Sequence, residues 1–235
     1  MSVVKAPRVS VVLPVYNQAD HIAKTLTDHA QALTEAELDF ELVPVVNGTQ
    51  RDQTLEECQR VSSADPRVRV EVLARGGWGV AVRHGVAQAR GDWICYTNSA
   101  RTQSEDLVRC LRYATAYPGT IVVASRRIRE SVHRRIGSVL YNFECRFFFN
   151  LASWDINGTP KVFPRTFERL LELEREDDLI DLEFHAIASR EHYPLVEVPV
   201  VSAARHGGKS TTNFRAAWAM YAGAFALARK MGKPQ

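Results

Sequence analysis

The sequence predicts an α/β protein in which a mostly parallel sheet is flanked by helices on both faces. Three observations support this fold class: valine-rich apolar runs recur along the first half of the chain, helical patterns separate them, and polar residues or glycines follow them. Continuous apolar runs without polar alternation are typical of strands that are buried on both faces. Strands that alternate with helices in this way pair in parallel.

The first half of the chain supplies five predicted strands and four predicted helices. The strands are residues 9–15, 40–46, 68–73, 93–97 and 120–124, and the helices are residues 20–33, 54–61, 80–89 and 105–117. Ligands of such sheets bind beyond the carboxyl ends of the strands. The residues that follow the strands should therefore line one edge of the sheet: Tyr16, Asn47, Arg75 and Asn98.

The second half has a different organisation. Residues 126–135 are strongly basic, and residues 136–151 are predicted to form a helix with one apolar face: Ile136, Leu140, Phe143 and Phe147. Pro164 is predicted to start a further helix, Asp178 to cap another, and residues 195–201 to form the last strand.

A terminal amphipathic helix is predicted over residues 213–230. Its aromatic stripe has spacings of four, three and four residues: Phe214, Trp218, Tyr221 and Phe225. Such a stripe fits packing against the protein core, and it also fits a contact with a membrane surface or a second copy.

Composition narrows the class of protein. The 235 residues suffice for one large α/β domain, and 46% apolar with 24% charged residues is ordinary for a soluble globular chain. A net charge of +3 does not by itself indicate nucleic-acid binding. No signal pattern opens the sequence, so we expect a cytoplasmic protein. The four cysteines lack C-x-x-C spacing and are expected to be reduced structural thiols.

Several stretches, in order from about residue 8 to residue 212, resemble family 2 glycosyltransferases of the GT-A fold. They are VSVVLPVYNQADHI, GWGVAVRHGVAQARGDW, ASRRIRE, WDINGTPKVFPR, LIDLEF, VEVPVV and RHGGKS. The last three are similar to dolichyl-phosphate mannose synthase-like members. The resemblance implies a GT-A (Rossmann-like) domain over 1–212, with a nucleotide half (8–125) and an acceptor half (126–212), followed by the terminal helix in 213–235. It also implies a nucleotide-sugar donor and transfer of the sugar, often to a polyprenyl phosphate.

The sequence departs from this family at three acidic positions. Gln18 stands for the glutamate of P-x-Y-N-E, Asn47-Gly48 for D-D, and Asn98-Ser99-Ala100 for the metal-binding D-x-D. Amides can hydrogen-bond a base or a ribose, but they are poor ligands for Mg²⁺ or Mn²⁺. We therefore expect no metal and no other cofactor.

Arginines are the natural replacement for a metal at a diphosphate, because the guanidinium binds phosphate in a bidentate manner. Arg83 lies one helical turn after Gly79, where a glycine lets backbone amides approach an anion. Solvated loop arginines are the alternative interpretation of Arg75 and Arg101. The expected donor-binding residues are Pro14, Tyr16, Gln18, Asn47, Arg75, Arg83, Asn98, Ala100 and Arg101.

Glu183 is the first candidate for a general base. Its helical neighbours are apolar: Leu179, Ile180, Ala186 and Ile187. The opposite face, expected to be solvated, carries Asp178, Asp181 and His185. A carboxylate within an apolar stripe is costly unless it is paired or used. The alternative is a structural pair with a buried arginine or with backbone amides. Asp155, in the stretch WDINGTPK, is the second catalytic candidate, and the adjacent Trp154 could stack on a sugar or lie in the core.

The basic stretch has three interpretations: a solvated face, a nucleic-acid patch, or a grip on the phosphate of a lipid-linked acceptor. Nucleic acid is not expected, since interleaved aromatics are missing. The resemblance favours the acceptor, with these binding residues: Arg126, Arg134, Ser138, Arg205 and Lys209. A membrane contact through 213–230 would place the protein at the inner face of the membrane. The rival from another class is a catalytically degenerate GT-A-fold protein that binds a nucleotide or nucleotide sugar in a regulatory or scaffolding role. The nucleotide, the sugar, the acceptor and the oligomeric state are open.

Overall fold

The computed structural model describes residues 8–128, 132–151, 153–201 and 214–231. Side chains are described in these ranges except at 127–128, 132–139, 201, 214–220 and 230–231. The predicted Arg134 and Ser138 therefore lie outside the described side chains, and Arg205 and Lys209 lie outside the described residues.

Seven strands form one mixed, mostly parallel sheet, as the sequence predicts. They are β1 (Val9–Val15), β2 (Phe40–Asn47), β3 (Glu71–Leu73), β4 (Trp93–Tyr96), β5 (Ile121–Ile128), β6 (Lys161–Pro164) and β7 (Leu195–Val201). The order across the sheet is β3-β2-β1-β4-β6-β5-β7. β6 pairs antiparallel with both β4 and β5, whereas the other pairings are parallel.

Seven α-helices accompany the strands in the described ranges. They are α1 (Ile22–Glu35), α2 (Thr54–Ala64), α3 (Trp78–Gln88), α4 (Ser104–Ala116), α5 (Val132–Phe149), α6 (Ile180–Arg190) and α7 (Phe214–Met231). A single 3-10 turn, Glu168–Leu170, precedes α6. The helices of the first half begin and end within three residues of their predicted bounds.

Two predictions for the second half are wrong. Pro164 ends β6 rather than starting a helix. Asp178 does not cap α6, because the carboxylate that accepts a hydrogen bond from the Leu179 amide, at 3.1 Å, belongs to Asp177. Strand β6 was missing from the sequence analysis because its four residues give too short an apolar pattern, although it lies in the middle of the sheet.

Both faces of the sheet are covered by helices. One apolar cluster joins the sheet to α1, α2 and α4, and a second joins the opposite face to α3 and α6. Helix α3 lies close against β1, since a Cβ on Gly85 would come within 2.1 Å of Val12 Cγ1. The four cysteines are free and buried, and burial raises the pKa of Cys58 to about 12, as expected of structural thiols.

A third apolar cluster joins α5, α6 and α7. Tyr141, Cys145 and Phe149 of α5 face this cluster. The predicted apolar face of α5 is the opposite one: Leu140, Phe143 and Phe147 are 57%, 71% and 73% exposed. Helix α5 is therefore apolar on two sides, and only one of them is covered in the described part of the chain.

Candidate functional site

The carboxyl ends of four parallel strands form the edge at which a ligand was predicted. β1 pairs in parallel with β2 and β4, and β2 pairs in parallel with β3. The polar residues at or after these strand ends therefore lie along one edge, as expected: Tyr16, Asn47, Arg75 and Asn98. Their part in donor binding stays a prediction.

Asn47 joins the ends of two strands to the glycine loop before α3. Its Nδ2 donates to the carbonyl oxygens of Val15 at 2.9 Å and Val45 at 3.2 Å, and its Oδ1 accepts from the amide of Gly77 at 3.0 Å. A carboxylate could accept from Gly77 but could not donate to two carbonyls. The need to donate to two carbonyls and to accept from one amide thus explains an asparagine at position 47.

The stretch after β4 turns its side chains into the protein. Ser99 Oγ lies 2.8 Å from the carbonyl oxygen of Pro14 and 2.9 Å from Gln18 Oε1, and both Ser99 and Ala100 are buried. Asn98 Oδ1 accepts from the Ala100 amide at 3.0 Å and closes a local turn. Gln18, which follows β1, is therefore linked directly to Ser99, which follows β4.

The residues present at this turn do not fit a divalent metal ion. Mg²⁺ and Mn²⁺ prefer anionic oxygen ligands, and the turn supplies an amide oxygen and a hydroxyl that are already hydrogen-bonded. Throughout the ranges that the structure describes, no three His, Cys, Asp or Glu side chains are grouped so that they could hold a metal.

Two of the predicted diphosphate arginines converge on one carboxylate. Arg75 Nη2 lies 2.5 Å from Glu176 Oε2, and Arg83 Nη1 lies 2.9 Å from Glu176 Oε1. Each side chain remains well exposed, at 67% for Arg75 and 39% for both Arg83 and Glu176. The two guanidinium groups thus already surround a bound anion, and that anion is supplied by the chain.

The predicted approach of an anion to the backbone at Gly79 is wrong. A Cβ on Gly79 would lie 2.5 Å from the carbonyl carbon of Glu176, and the amide of Val80 donates to the carbonyl oxygen of Glu176 at 3.2 Å. The glycine therefore admits the loop that precedes α6, residues 171–179, instead of a ligand. We refer to these residues as the α6 loop.

The remaining predicted donor residues differ in access. Tyr16 is 39% exposed at the end of β1, where its ring lies beside the Gly48 backbone. The carbonyl of Pro14 is used by Ser99. Arg101 is half-buried, and its amide donates to the carbonyl oxygen of Asn98 at 3.2 Å. The ring of Tyr16 is therefore accessible at this edge, and its contact with a base stays a prediction.

Glu183 is buried and its carboxylate faces backbone amides. Its two oxygens lie 3.1 Å from the amide of Glu174, and Oε2 accepts from the amide of Arg175 at 2.8 Å. The structure thus contains the pairing with backbone amides that the sequence analysis named as the alternative. These bonds fix the α6 loop, which carries Glu176. A role as general base stays a prediction.

A buried ionic cluster, which no sequence pattern predicted, lies beneath the edge. Lys161 of β6 is fully buried, and its Nζ lies 2.5 Å from Asp181 Oδ1. Tyr96 donates its hydroxyl to Asp181 Oδ1 at 3.0 Å, and Trp78 donates its indole N–H to Oδ2 at 3.1 Å. Asp181 thereby connects β4, β6 and the start of α3 to the first turn of α6.

The expectation of a solvated face on α6 is wrong for two of its three residues. Asp178 is exposed, but Asp181 and His185 are only 5% and 2% exposed. Helix α6 lies between two apolar clusters, so its polar residues are enclosed. Two residues of the sequence could have indicated the buried cluster: Lys161 in WDINGTPKVFPR and Asp181, the first acid of LIDLEF.

The second catalytic candidate and one predicted acceptor residue are paired with each other. Arg126 Nε donates to Asp155 Oδ2 at 2.8 Å, and Nη2 donates to Oδ1 at 2.7 Å. Glu197 accepts from the amides of Trp154 and Asp155 at 2.7 and 3.1 Å. Trp154 is 67% exposed, which excludes the core position.

Within the described residues, every helix is too short or too polar to cross a bilayer.

Curated relatives share the chain's sequence along most of its length. The undecaprenyl-phosphate 4-deoxy-4-formamido-L-arabinose transferase of Pseudomonas fluorescens (strain Pf0-1) is 30% identical over 210 residues, which cover 86% of this chain and 59% of that protein. The protein of the same name from Proteus mirabilis is 26% identical, over 89% of this chain and 64% of its own length. This chain thus spans less than two thirds of these relatives.

Solved structures show the fold. Glucosyl-3-phosphoglycerate synthase from Mycobacterium tuberculosis, in complex with Mn²⁺, UDP and glucosyl-3-phosphoglycerate, superposes with a TM-score of 0.73 at 17% identity, over 97% of this chain and 81% of that one. A mannosyltransferase from Pyrobaculum calidifontis, in complex with GDP-Man and Mn²⁺, gives 0.65 at 20% identity, over 99% and 67%. The predicted GT-A fold is therefore confirmed.

The profile of the family described as "Glycosyl transferase family 2" matches residues 10–175, which include the edge of the sheet, both converging arginines and most of the α6 loop. This chain belongs to glycosyl transferase family 2.

Proposed function

We propose that this protein is a glycosyltransferase that moves a sugar from a nucleotide-sugar donor to the phosphate of a polyprenyl lipid. The observation that carries the proposal is the convergence of Arg75 and Arg83 on one anion at the carboxyl edge of the sheet. Family membership supports the reaction class. The names of the relatives, which specify undecaprenyl phosphate, support the acceptor.

On the donor side, the exposed ring of Tyr16 stacks on the base, and the amides of Gln18 and Asn98 bind polar atoms of the nucleoside or sugar. Arg75 and Arg83 hold the diphosphate once it replaces the carboxylate of Glu176. A guanidinium binds phosphate and carboxylate through the same pair of parallel N–H donors, so the exchange needs no new geometry.

The proposed donor site works without a divalent metal ion. The turn after β4 lacks anionic ligands, and its Asn98 and Ser99 oxygens are engaged in hydrogen bonds. The two arginines supply the positive charge that a leaving diphosphate requires.

A phosphate acceptor also removes the need for a general base. An anionic oxygen of the lipid phosphate attacks the anomeric carbon of the sugar, the bond from that carbon to the diphosphate oxygen breaks, and the nucleoside diphosphate leaves with the electron pair. One in-line displacement inverts the anomeric carbon. No proton has to be removed from the nucleophile. This chemistry agrees with a site in which Glu183 and Asp155 are both engaged by other groups of the protein.

The neutral edge also favours a second candidate, a GT-A-fold protein that binds a nucleotide sugar without turning it over. One experiment separates the two. The protein is incubated with undecaprenyl phosphate and a panel of nucleotide sugars, and glycolipid and free nucleoside diphosphate are measured. We expect both products in equal amounts from one donor. Saturable donor binding without glycolipid or donor hydrolysis would instead establish the binding protein.

A further inference from the structure

Helix α5 carries a row of large apolar side chains on its outer side. Leu140, Phe143 and Phe147 recur at spacings of three and four residues, so they share one face of the helix. They are 57%, 71% and 73% exposed, while the inward face of the same helix is packed against α6 and α7. Soluble proteins rarely expose several large apolar side chains side by side unless the surface contacts something.

The exposed row continues onto neighbouring elements. The ring of Phe148 contacts Phe147 at 5.5 Å and Phe225 of α7 at 5.7 Å between centroids, and Phe225 is itself half exposed. On the other side, the guanidinium of Arg146 lies 3.8 Å from the ring centre of Trp154. We call this surface the aromatic ridge: Leu140, Phe143, Phe147, Trp154 and Phe225.

The charge around the ridge specifies what can cover it. Helix α5, which carries most of the ridge, contains three arginines (134, 135 and 146) and one glutamate (144), an excess of two positive charges. A two-fold dimer through the ridge would bring two copies of this basic segment together, because such an interface places the same patch on both sides. A bilayer with anionic lipids instead offers negative charge to the arginines and an apolar interior to the rings.

We propose that the aromatic ridge is a membrane-docking surface, in which Phe143 and Phe147 enter the headgroup region of an anionic bilayer. Trp154 suits the same boundary, since its ring is apolar and its N–H is polar. The guanidinium of Arg146 lies over the ring of Trp154 and adds positive charge at the same boundary. This moves the principal contact from the predicted residues 213–230 to the outer face of α5, with Phe225 as the contribution of α7. The inference rests on the proposed function in one respect: a lipid-phosphate acceptor is the reason why the protein would have to reach a bilayer.

The test uses vesicles without any polyprenyl lipid, so acceptor binding is not involved. Wild-type protein is mixed with vesicles of phosphatidylglycerol and phosphatidylcholine, or of phosphatidylcholine alone, and the bound fraction is measured by flotation. We expect binding to the anionic vesicles that weakens with added salt. The double variant Phe143→Ser, Phe147→Ser should lose at least about tenfold in partition coefficient.

A matched control exists at the C-terminal end of α4, where Tyr113 and Tyr117 are 46% and 62% exposed and stack on each other. Tyr113→Ser with Tyr117→Ser removes the same number of exposed aromatic rings and should bind vesicles as the wild type does. Thermal unfolding of both double variants should stay close to the wild type, because the replaced residues are 46% to 73% exposed.

The inference would be overturned if wild-type protein did not float with anionic vesicles, or if the Phe143/Phe147 variant floated equally well. It would also be overturned if wild-type protein sedimented as a dimer and this variant as a monomer. The last result would assign the ridge to a second copy of the chain. Failure of the proposed function is a distinct outcome, since vesicle binding without sugar transfer would leave the docking surface intact and remove the transferase.

Discussion

Arg126 and Asp155 hold each other in a bidentate ion pair, with Nε–Oδ2 and Nη2–Oδ1 distances of 2.8 and 2.7 Å. The backbone amide of Arg126 adds a third bond to Oδ2 at 2.9 Å. Asp155 is 4% exposed, so this carboxylate is matched to the guanidinium inside the protein. The pair fastens β5 to the segment that leads into β6.

Asp155→Asn should therefore lower the free energy of unfolding by about 2 to 3 kcal/mol. The guanidinium of Arg126 would lose its counter-charge. The loss is moderated because this side chain is 25% exposed and remains partly hydrated. Urea denaturation measures the change. Asp28→Asn, which breaks an exposed pair with Lys24 on α1, is the control and should cost less than about 0.5 kcal/mol. A variant of unchanged stability that has lost sugar transfer would assign Asp155 to catalysis instead.

Glu183→Gln tests whether this carboxylate is a base or a loop anchor. Both carboxylate oxygens accept from the Glu174 amide, and Oε2 also accepts from the Arg175 amide. A glutamine has one acceptor oxygen and places an N–H donor where the other oxygen accepts. We expect unfolding to require about 1 to 2 kcal/mol less free energy. Transfer to a lipid phosphate should fall less than about tenfold, because that nucleophile has no proton to lose.

Differential scanning calorimetry and a transfer assay on the same preparation give both quantities for Glu183→Gln. A loss of rate of ~10²-fold or more at unchanged melting temperature is the result expected of a general base and would contradict the anchor.

The sequence was sufficient for the features that depend on neighbours along the chain. Valine runs and helical spacing placed β1 within its observed bounds and the helices of the first half within three residues of theirs. The edge of the sheet followed, because the direction of parallel strands fixes where their carboxyl ends lie. Asn47 and Gln18 lie there, although their hydrogen-bond partners come from other parts of the chain. Their substitution for acids of the family stays an interpretation.

Local sequence patterns could not predict the partners of the buried charged residues, because those partners are distant along the chain. Lys161 and Asp181 are 20 residues apart, and Arg126 and Asp155 are 29 apart. Whether a helix face is solvated depends on what covers it. Helix α6 is enclosed by two apolar clusters, and no pattern within its own sequence reports this. The exposed face of α5 is the converse case, since its apolar spacing looks like that of a buried face.

Glu176→Gln should strengthen the binding of inorganic pyrophosphate. The carboxylate of Glu176 occupies both Arg75 and Arg83, and a diphosphate has to displace it. Exposed ion pairs contribute about 0.5 to 1 kcal/mol, so the dissociation constant should fall about two- to fivefold in calorimetry at low salt.

Glu172→Gln is the matched control for Glu176→Gln. Glu172 lies in the same α6 loop, is 63% exposed and pairs with Arg169, so its replacement changes the net charge equally without freeing the two arginines. Equal gains of affinity in both variants would show a general charge effect and contradict the proposed anion site.

Removal of divalent metal ions should leave donor binding unchanged. The turn of Asn98, Ser99 and Ala100 supplies no anionic ligand, so the donor diphosphate must be held by other groups. Calorimetry of a nucleoside diphosphate that binds, with Mn²⁺ and then with EDTA, should give dissociation constants within about twofold of each other. A tenfold loss on adding EDTA, equivalent to about 1.4 kcal/mol, would show that a metal contributes to the site.

His185 should make the fold sensitive to mild acid. Burial, and secondly the ammonium of Lys161, lower the pKa of His185 to about 3, against an opposing effect of Asp155. In the unfolded chain the imidazole titrates near its ordinary pKa of about 6.5. Between these values the unfolded state binds one proton more than the native state, so the free energy of unfolding decreases as the pH falls. The slope approaches about 1.4 kcal/mol per pH unit below pH 6, and the loss between pH 6.5 and pH 5 is about 1.6 kcal/mol.

The measurement is urea denaturation of wild type, His185→Gln and His192→Gln at a series of pH values. Carboxylates contribute to the pH dependence of all three proteins, so the difference between wild type and His185→Gln isolates the buried imidazole. His192 is exposed at the end of α6, and its replacement should leave the wild-type slope in place. The absolute stability of His185→Gln is not decisive, because burying an amide has its own cost. The decisive quantity is the slope of its free energy of unfolding against pH. If this variant loses stability with falling pH as steeply as wild type, the imidazole of His185 is protonated in the native protein and the buried cluster around Lys161 tolerates a second positive charge.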